Sequence, residues 1–148
     1  MTKKPGRPIK VDIENSHSFL LRDIPKIHWS EFVHLVDKAK KSDRLFSRID
    51  KFRLMVKRDI KNRYKDFEPC PNRGRIENLK KSYLIHGIFK TDWIEFRSKC
   101  ILSGWTVRER ILELIWFEIN DTSFWDKDLE LLKFHDGMAI YNHHLFDV

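Results

Sequence analysis

Five residues near the C-terminus, His135, Asp136, His143, His144 and Asp147, are of the types that ligate a divalent metal. Their spacing matches no pattern that would bring them to one ion, so they read as solvated side chains. Cys70 lies between two prolines, and Cys100 sits in an apolar helical pattern. Two such thiols make neither a metal-ligand spacing nor a disulfide framework. The chain has no phosphate-binding glycine loop, no nucleophile elbow and no paired-carboxylate signature. We therefore expect no enzyme activity, no cofactor and no small-molecule substrate. The chemistry that remains is recognition by charge and by hydrogen bonding. Two short stretches carry its best candidates: Ser18, Leu20 and Arg22 in the first, and Ser82, Leu84 and His86 in the second.

Charge narrows the class of partner. The net charge of the 148 residues is +7, unevenly spread. Residues 38–65 hold twelve Lys/Arg against three acids, and residues 109–148 hold three against nine. Residues 1–10 hold Lys3, Lys4, Arg7 and Lys10 with no acid. A basic N-terminal half and an acidic C-terminal third point to a polyanion on one side of the molecule. The composition, 41% hydrophobic and 13% aromatic, is enough to bury a core. No apolar run reaches the roughly 20 residues of a membrane span. The N-terminus lacks the apolar stretch of a signal peptide. The expectation is a soluble cytoplasmic protein with no membrane partner.

The elements that must position these side chains occur twice. Residues 18–32, SFLLRDIPKIHWSEF, align without gaps to residues 82–96, SYLIHGIFKTDWIEF, with seven identities in fifteen positions. Each copy opens on a short apolar stretch that reads as a strand, residues 19–24 and 83–88. A helical seam follows: Trp29, Phe32, Val36 and Ala39 in the first copy, Trp93, Phe96, Cys100 and Ser103 in the second. Pro25 suits a first helical turn. Ser42 and Thr106 then stand as N-caps of second helices. Those helices have seams Leu45, Ile49, Phe52, Val56, Ile60 and Val107, Ile111, Leu114, Ile115, with Leu45 matched to Val107. The remaining faces of the first of them carry most of the basic cluster.

The expected organisation is a basic arm (1–16), a first unit (17–65), a linker (66–81), a second unit (82–120) and an acidic extension (121–148). Within the extension, residues 124–134 form a short amphipathic helix. One strand and two helices cannot close a core, because the strand keeps open edges and the helices keep bare seams. Two such units can pair their strands antiparallel and interleave their helices. The fold class expected is mostly α with a short two-stranded antiparallel β-ribbon, the two repeats forming an intramolecular pseudo-dimer.

FLLRDIP…WSEF and YLIHGIF…WIEF, with Ser42 and Thr106 opening the second helices, resemble the ribbon-helix-helix DNA-binding proteins over residues 18–64 and 82–120. The single-chain tandem form is similar to the conjugative-transfer proteins of the TraY type, which assist a relaxase and can act as regulators. Two departures stand out: Pro25 precedes Trp29 by four residues rather than three, and Phe89 replaces Pro in the second copy. The resemblance implies double-stranded DNA as partner, read by a ribbon in the major groove. Strand alternation makes Phe19, Leu21, Tyr83 and Ile85 the inward set. Ser18, Leu20, Arg22, Ser82, Leu84 and His86 then face the bases, Arg22 as a two-bond donor to guanine. The opposite register would bury Arg22. The second-helix N-termini would meet phosphates through Ser42, Arg44, Thr106 and Arg108. In the arm, Gly6-Arg7-Pro8 resembles the core of an AT-hook, with Lys4 and Arg7 as further phosphate or minor-groove contacts. Arg22 against His86 makes the expected DNA site asymmetric. The alternative reading is a protein-interaction module, antitoxin-like or scaffold, that uses the acidic C-terminal third to dock on a second protein.

Overall fold

The computed structural model describes residues 15–42, 46–71 and 80–134. Two strands and five helices follow in the order β1 (Ser16–Pro25), α1 (Lys26–Ser42), α2 (Arg48–Ile60), β2 (Lys80–Phe89), α3 (Lys90–Leu102), α4 (Val107–Asn120) and α5 (Ser123–Phe134). The architecture is thus mostly helical with one two-stranded antiparallel sheet. Each strand is longer than its apolar stretch, and residues at both ends of the expected linker (66–81) belong to the fold. Phe67 stacks on Phe124 at 5.4 Å, and β2 begins at Lys80.

The strands carry the repeated phrase and pair about its middle, Leu20 opposite Leu84. Phe19 faces Ile85 and Leu21 faces Tyr83 on either side of that pair. Strict alternation then breaks once in each strand. Gly87 is an extra residue between the pairs His17–Ile88 and Ser18–His86, and Asp23 is one between Leu21–Tyr83 and Ile24–Lys81. Both sit at positive φ, 113° for Gly87 and 56° for Asp23. Such a bulge turns the next residue to the other face. Without it Ile24 and Ile88 would point to solvent; with it they are buried.

The helices cross between the repeats. α1 packs on α4, and α2 packs on α3 and β2. Aromatic anchors do the same: Trp29 of α1 lies 4.7 Å from Tyr83 of β2, and Trp93 of α3 lies 5.2 Å from Phe19 of β1. The expected seams of α1 and α3 are buried except for Ser103, which caps α3 from the surface. Thr106 caps α4 as expected, its hydroxyl accepting from Glu109 N–H at 3.1 Å.

Two expectations fail at α2. Ser42 does not cap it, because α1 continues through Lys40 and Lys41 to end at Ser42. Lysines in a last turn favour the negative end of a helix dipole, so this polar run extends α1 and does not interrupt it. Ser47 is the cap, its N–H and hydroxyl donating to the Asp50 carboxylate at 2.8 and 2.9 Å. Arg48, not Leu45, therefore takes the place of Val107, and Leu45 lies outside the described residues.

The second failure concerns charge. The basic residues of α2 are not a solvated face: Lys51, Arg53 and Arg58 are buried. Lys51 Nζ lies 2.8 Å from Glu118 and 2.5 Å from Asp128, and Arg58 pairs with the same two acids. Tyr64 donates its hydroxyl to Glu118 at 2.5 Å. Burial first, then Glu118, hold the Tyr64 phenol well above its usual range. Burial works against the Arg58 charge, but Asp128, Tyr64 and Glu118 outweigh it and strengthen that charge. Two cations meet two carboxylates, so the cluster is neutral. α5 is held by it: Asp128 comes from α5, and Trp125 Nε1 donates to the Glu118 carbonyl at 2.9 Å.

Removing one partner from such a cluster leaves a buried charge without compensation. Asp128→Ala should lower the unfolding free energy by about 3–5 kcal/mol, measured by urea denaturation. Asp126→Ala, at an exposed site in the same helix, should stay within about 0.5 kcal/mol of the parent. Equal effects would contradict the role given to the cluster.

Candidate nucleic-acid interface

The outer face of the ribbon is where the expected base-reading residues meet. Ser18, Leu20, Arg22, Ser82, Leu84 and His86 are all exposed, while Leu21 and Ile85 beneath them are buried. The register that keeps Arg22 out of the core is the one found. Leu20 and Leu84 are 43% and 53% exposed, so the centre of the face is apolar. Beside them Ser18 Oγ makes a short hydrogen bond to His86 Nδ1 across the strands. That contact fixes the imidazole and leaves Nε2 as its outward nitrogen. Arg22 lies in the register step opposite Ser82, the corresponding position on the other side of the Leu pair.

Charge around this face is mostly positive. Lys80 and Lys81 stand opposite Pro25 and Ile24 and are exposed, as are Lys26 and Lys90 at the starts of α1 and α3. Asp23 is the one acid in the two strands. Arg108 of α4 reaches it, Nη2 to Oδ2 at 4.0 Å, and donates Nε–H to the Arg22 carbonyl at 2.9 Å. Arg108 thus holds the bulge in β1, a role different from the phosphate contact expected of it. A second arginine holds the other bulge: buried Arg53 donates Nε–H to the Gly87 carbonyl at 2.8 Å, its guanidinium 4.4 Å from the Phe89 ring centroid. Both second helices therefore grip the ribbon.

Of the other expected contacts, Thr106 is exposed at the start of α4, and Ser42 is exposed at the end of α1, where no helix N-terminus is present. Lys4, Arg7 and Arg44 lie outside the described residues, as do His135, Asp136, His143, His144 and Asp147. Among the described residues no group of His, Cys, Asp and Glu is placed to hold a metal. No described helix is long and apolar enough to cross a membrane.

The chain matches no family model, no curated protein and no solved structure.

Sequence reading missed three of its parts. Lys80 and Lys81 look like the end of a linker, yet an antiparallel register centred on Leu20 and Leu84 brings them opposite the end of β1. The bulges were readable too: the large apolar residues turned to the core run 19, 21, 24 and 83, 85, 88, a step of two and then three. The bulge-holding arginines left no local signal.

A separate cleft of about 170 Å³ lies between the ends of α2 and α3 and the start of α4, lined in part by Asp59, Lys99, Cys100, Trp105 and Arg110. Arg110 clasps the Asp59 carboxylate with two hydrogen bonds of 2.6 and 3.0 Å, and Lys99 donates to the Asp59 carbonyl. Burial first, then Asp59, push the Cys100 thiol up to about 11. It stays protonated at neutral pH and packs as an apolar group.

The positive φ at both bulges yields a test. Gly87→Ala should cost about 1–3 kcal/mol of stability, the usual strain of a side chain in that region. Asp23→Gly should be neutral or stabilising by up to about 1 kcal/mol. Urea midpoints compare them, and a loss in Asp23→Gly would show that the Asp23 side chain, not the backbone alone, fixes its bulge.

Proposed function

We propose that this chain binds double-stranded DNA by laying its two-stranded ribbon in the major groove. It would do so as a tandem ribbon-helix-helix pseudo-dimer, in a transcriptional regulator or a DNA-transfer accessory protein of a mobile element. One observation carries the reading. Two polar-apolar rows, Ser18-Leu20-Arg22 and Ser82-Leu84-His86, lie exposed side by side on the ribbon, with lysines at its ends. A two-stranded ribbon fits the major groove, and these side chains suit base edges: arginine for guanine, leucine for a thymine methyl, serine for either role.

The pairing about Leu20 and Leu84, the bulges at matching positions and the crossed helices all agree with two equivalent halves. The halves differ chemically at Arg22 and His86, so the preferred site is asymmetric. In the alternative reading, a protein docked on the acidic C-terminal third, Glu113, Glu118 and Asp128 would take no part, because they are buried in the fold.

Affinity for duplex DNA should fall steeply with salt, with a log–log slope steeper than about −3 if four or more phosphates are neutralised. Arg22→Ala should weaken binding to a selected site by about 1–3 kcal/mol and relax preference at one base pair. Fluorescence anisotropy on duplexes selected from random sequence measures both. A flat salt response, or an unchanged preference in Arg22→Ala, would defeat the reading.

A further inference from the structure

Among the described residues, large apolar side chains are exposed in three places. Leu20 and Leu84 belong to the ribbon face, and Ile27 is at the start of α1. The third place is α3, where Ile94, Ile101 and Leu102 are 63%, 62% and 88% exposed. Ile94 and Ile101 are two turns apart on one side of the helix, with Ser98 between them and Leu102 next to Ile101. They form one stripe with a small residue at its middle. The opposite side of α3, Trp93, Phe96 and Cys100, is the side that faces the core. Single exposed leucines need no account, but a stripe along a helix does.

The sequence repeat supplies a control. The positions in α1 that correspond to Ile94, Ile101 and Leu102 are Ser30, Asp37 and Lys38, all polar and all exposed. The fold therefore does not require an apolar residue at any of the three.

We propose that the α3 face binds the α3 face of a second copy of this chain, forming a symmetric dimer. Charge at the edges of the stripe supports this occupant. Glu95 flanks the stripe on one side, and Arg97 and Lys90 flank it on the other, all three exposed. When two such helices pack in parallel about a two-fold axis, Glu95 of each copy meets the partner's Arg97. Number supports it as well. One stripe per chain, used isologously, closes at two copies; stripes on both α1 and α3 would propagate into a filament. Size sets the strength. A helix of thirteen residues is about 20 Å long, too short to bury the roughly 800 Å² per partner of a standard stable interface. The dimer is weak and depends on concentration. None of this rests on the DNA reading.

Sedimentation equilibrium of the full chain, without DNA, should show monomer at low micromolar and dimer at high micromolar concentration. Ile101→Glu with Leu102→Glu should weaken association at least about tenfold, with circular dichroism and urea midpoint unchanged because both sites are exposed. Glu95→Arg alone should also weaken it, and adding Arg97→Glu should restore it. The proposal is overturned by a parent chain that stays monomeric throughout, as it would if its own tail covered α3. It is also overturned by a dimer indifferent to the glutamates, or by a charge swap that fails to restore association.

Discussion

The structure depends on the burial of cations along α2. Lys51, Arg53 and Arg58 lie inside the protein, each brought there by a helix in contact with both halves of the repeat. A buried charge is tolerable only with a partner and with its hydrogen bonds made. Each partner comes from a distant part of the chain. Glu118 and Asp128 serve Lys51 and Arg58, and the Gly87 carbonyl serves Arg53. At the same helix Lys57 reaches Asp92 at 3.2 Å, and Asp59 is clasped by Arg110. α2 is thereby tied to α3, α4, α5 and β2 by directional bonds as well as by packing. Apolar contacts alone would tolerate sliding among these helices; a set of paired charges admits one register.

This constraint redistributes the charge that the sequence displays. The acids of the C-terminal third look like a free surface when counted along the chain. Three of them, Glu113, Glu118 and Asp128, are instead buried, two as counter-ions of α2 and one accepting the Cys70 N–H at 2.7 Å. The basic cluster likewise loses its most central members to the interior. The cations left beside the ribbon, Arg22, Lys26, Lys80, Lys81 and Lys90, all come from outside that cluster. A net charge of +7 is thus compatible with a polyanion partner, but the residues available to it are not those that local density would choose.

What the sequence disclosed follows a physical division. The strands, the seams of α1 and α3, and the outward face of the ribbon were legible, because each rests on a short-range period and on one buried side. α2 resisted the same approach. It is enclosed nearly all round, so no polar side marks its orientation, and its lysine and arginines imitate a solvated face. Their partners are 67 and 77 residues away for Lys51, a separation that no window of periodicity spans. The α1–α2 turn was misplaced for a related reason. Lys40, Lys41 and Ser42 read as a break because they are polar, yet a helix end facing water is polar too.

The two copies show what duplication preserves and what it releases. Positions that bury side chains stay alike: Trp29 and Trp93, Phe32 and Phe96, Ile24 and Ile88. The bulges stay alike in backbone although Asp23 and Gly87 share no side chain, since what matters there is a positive φ. Beyond those positions the copies diverge. Arg22 corresponds to His86 in the repeat, α5 leans on α1 through Trp125 and Phe32 at 6.0 Å, and the outer side of α3 is apolar where that of α1 is polar. A strict two-fold would have forbidden all three, because each change would appear twice. Two copies in one chain carry no such restriction, and the matched core positions stay alike all the same. Two of the differences fall on exposed faces, the ribbon and the outer side of α3, and the third is the buried contact that seats α5.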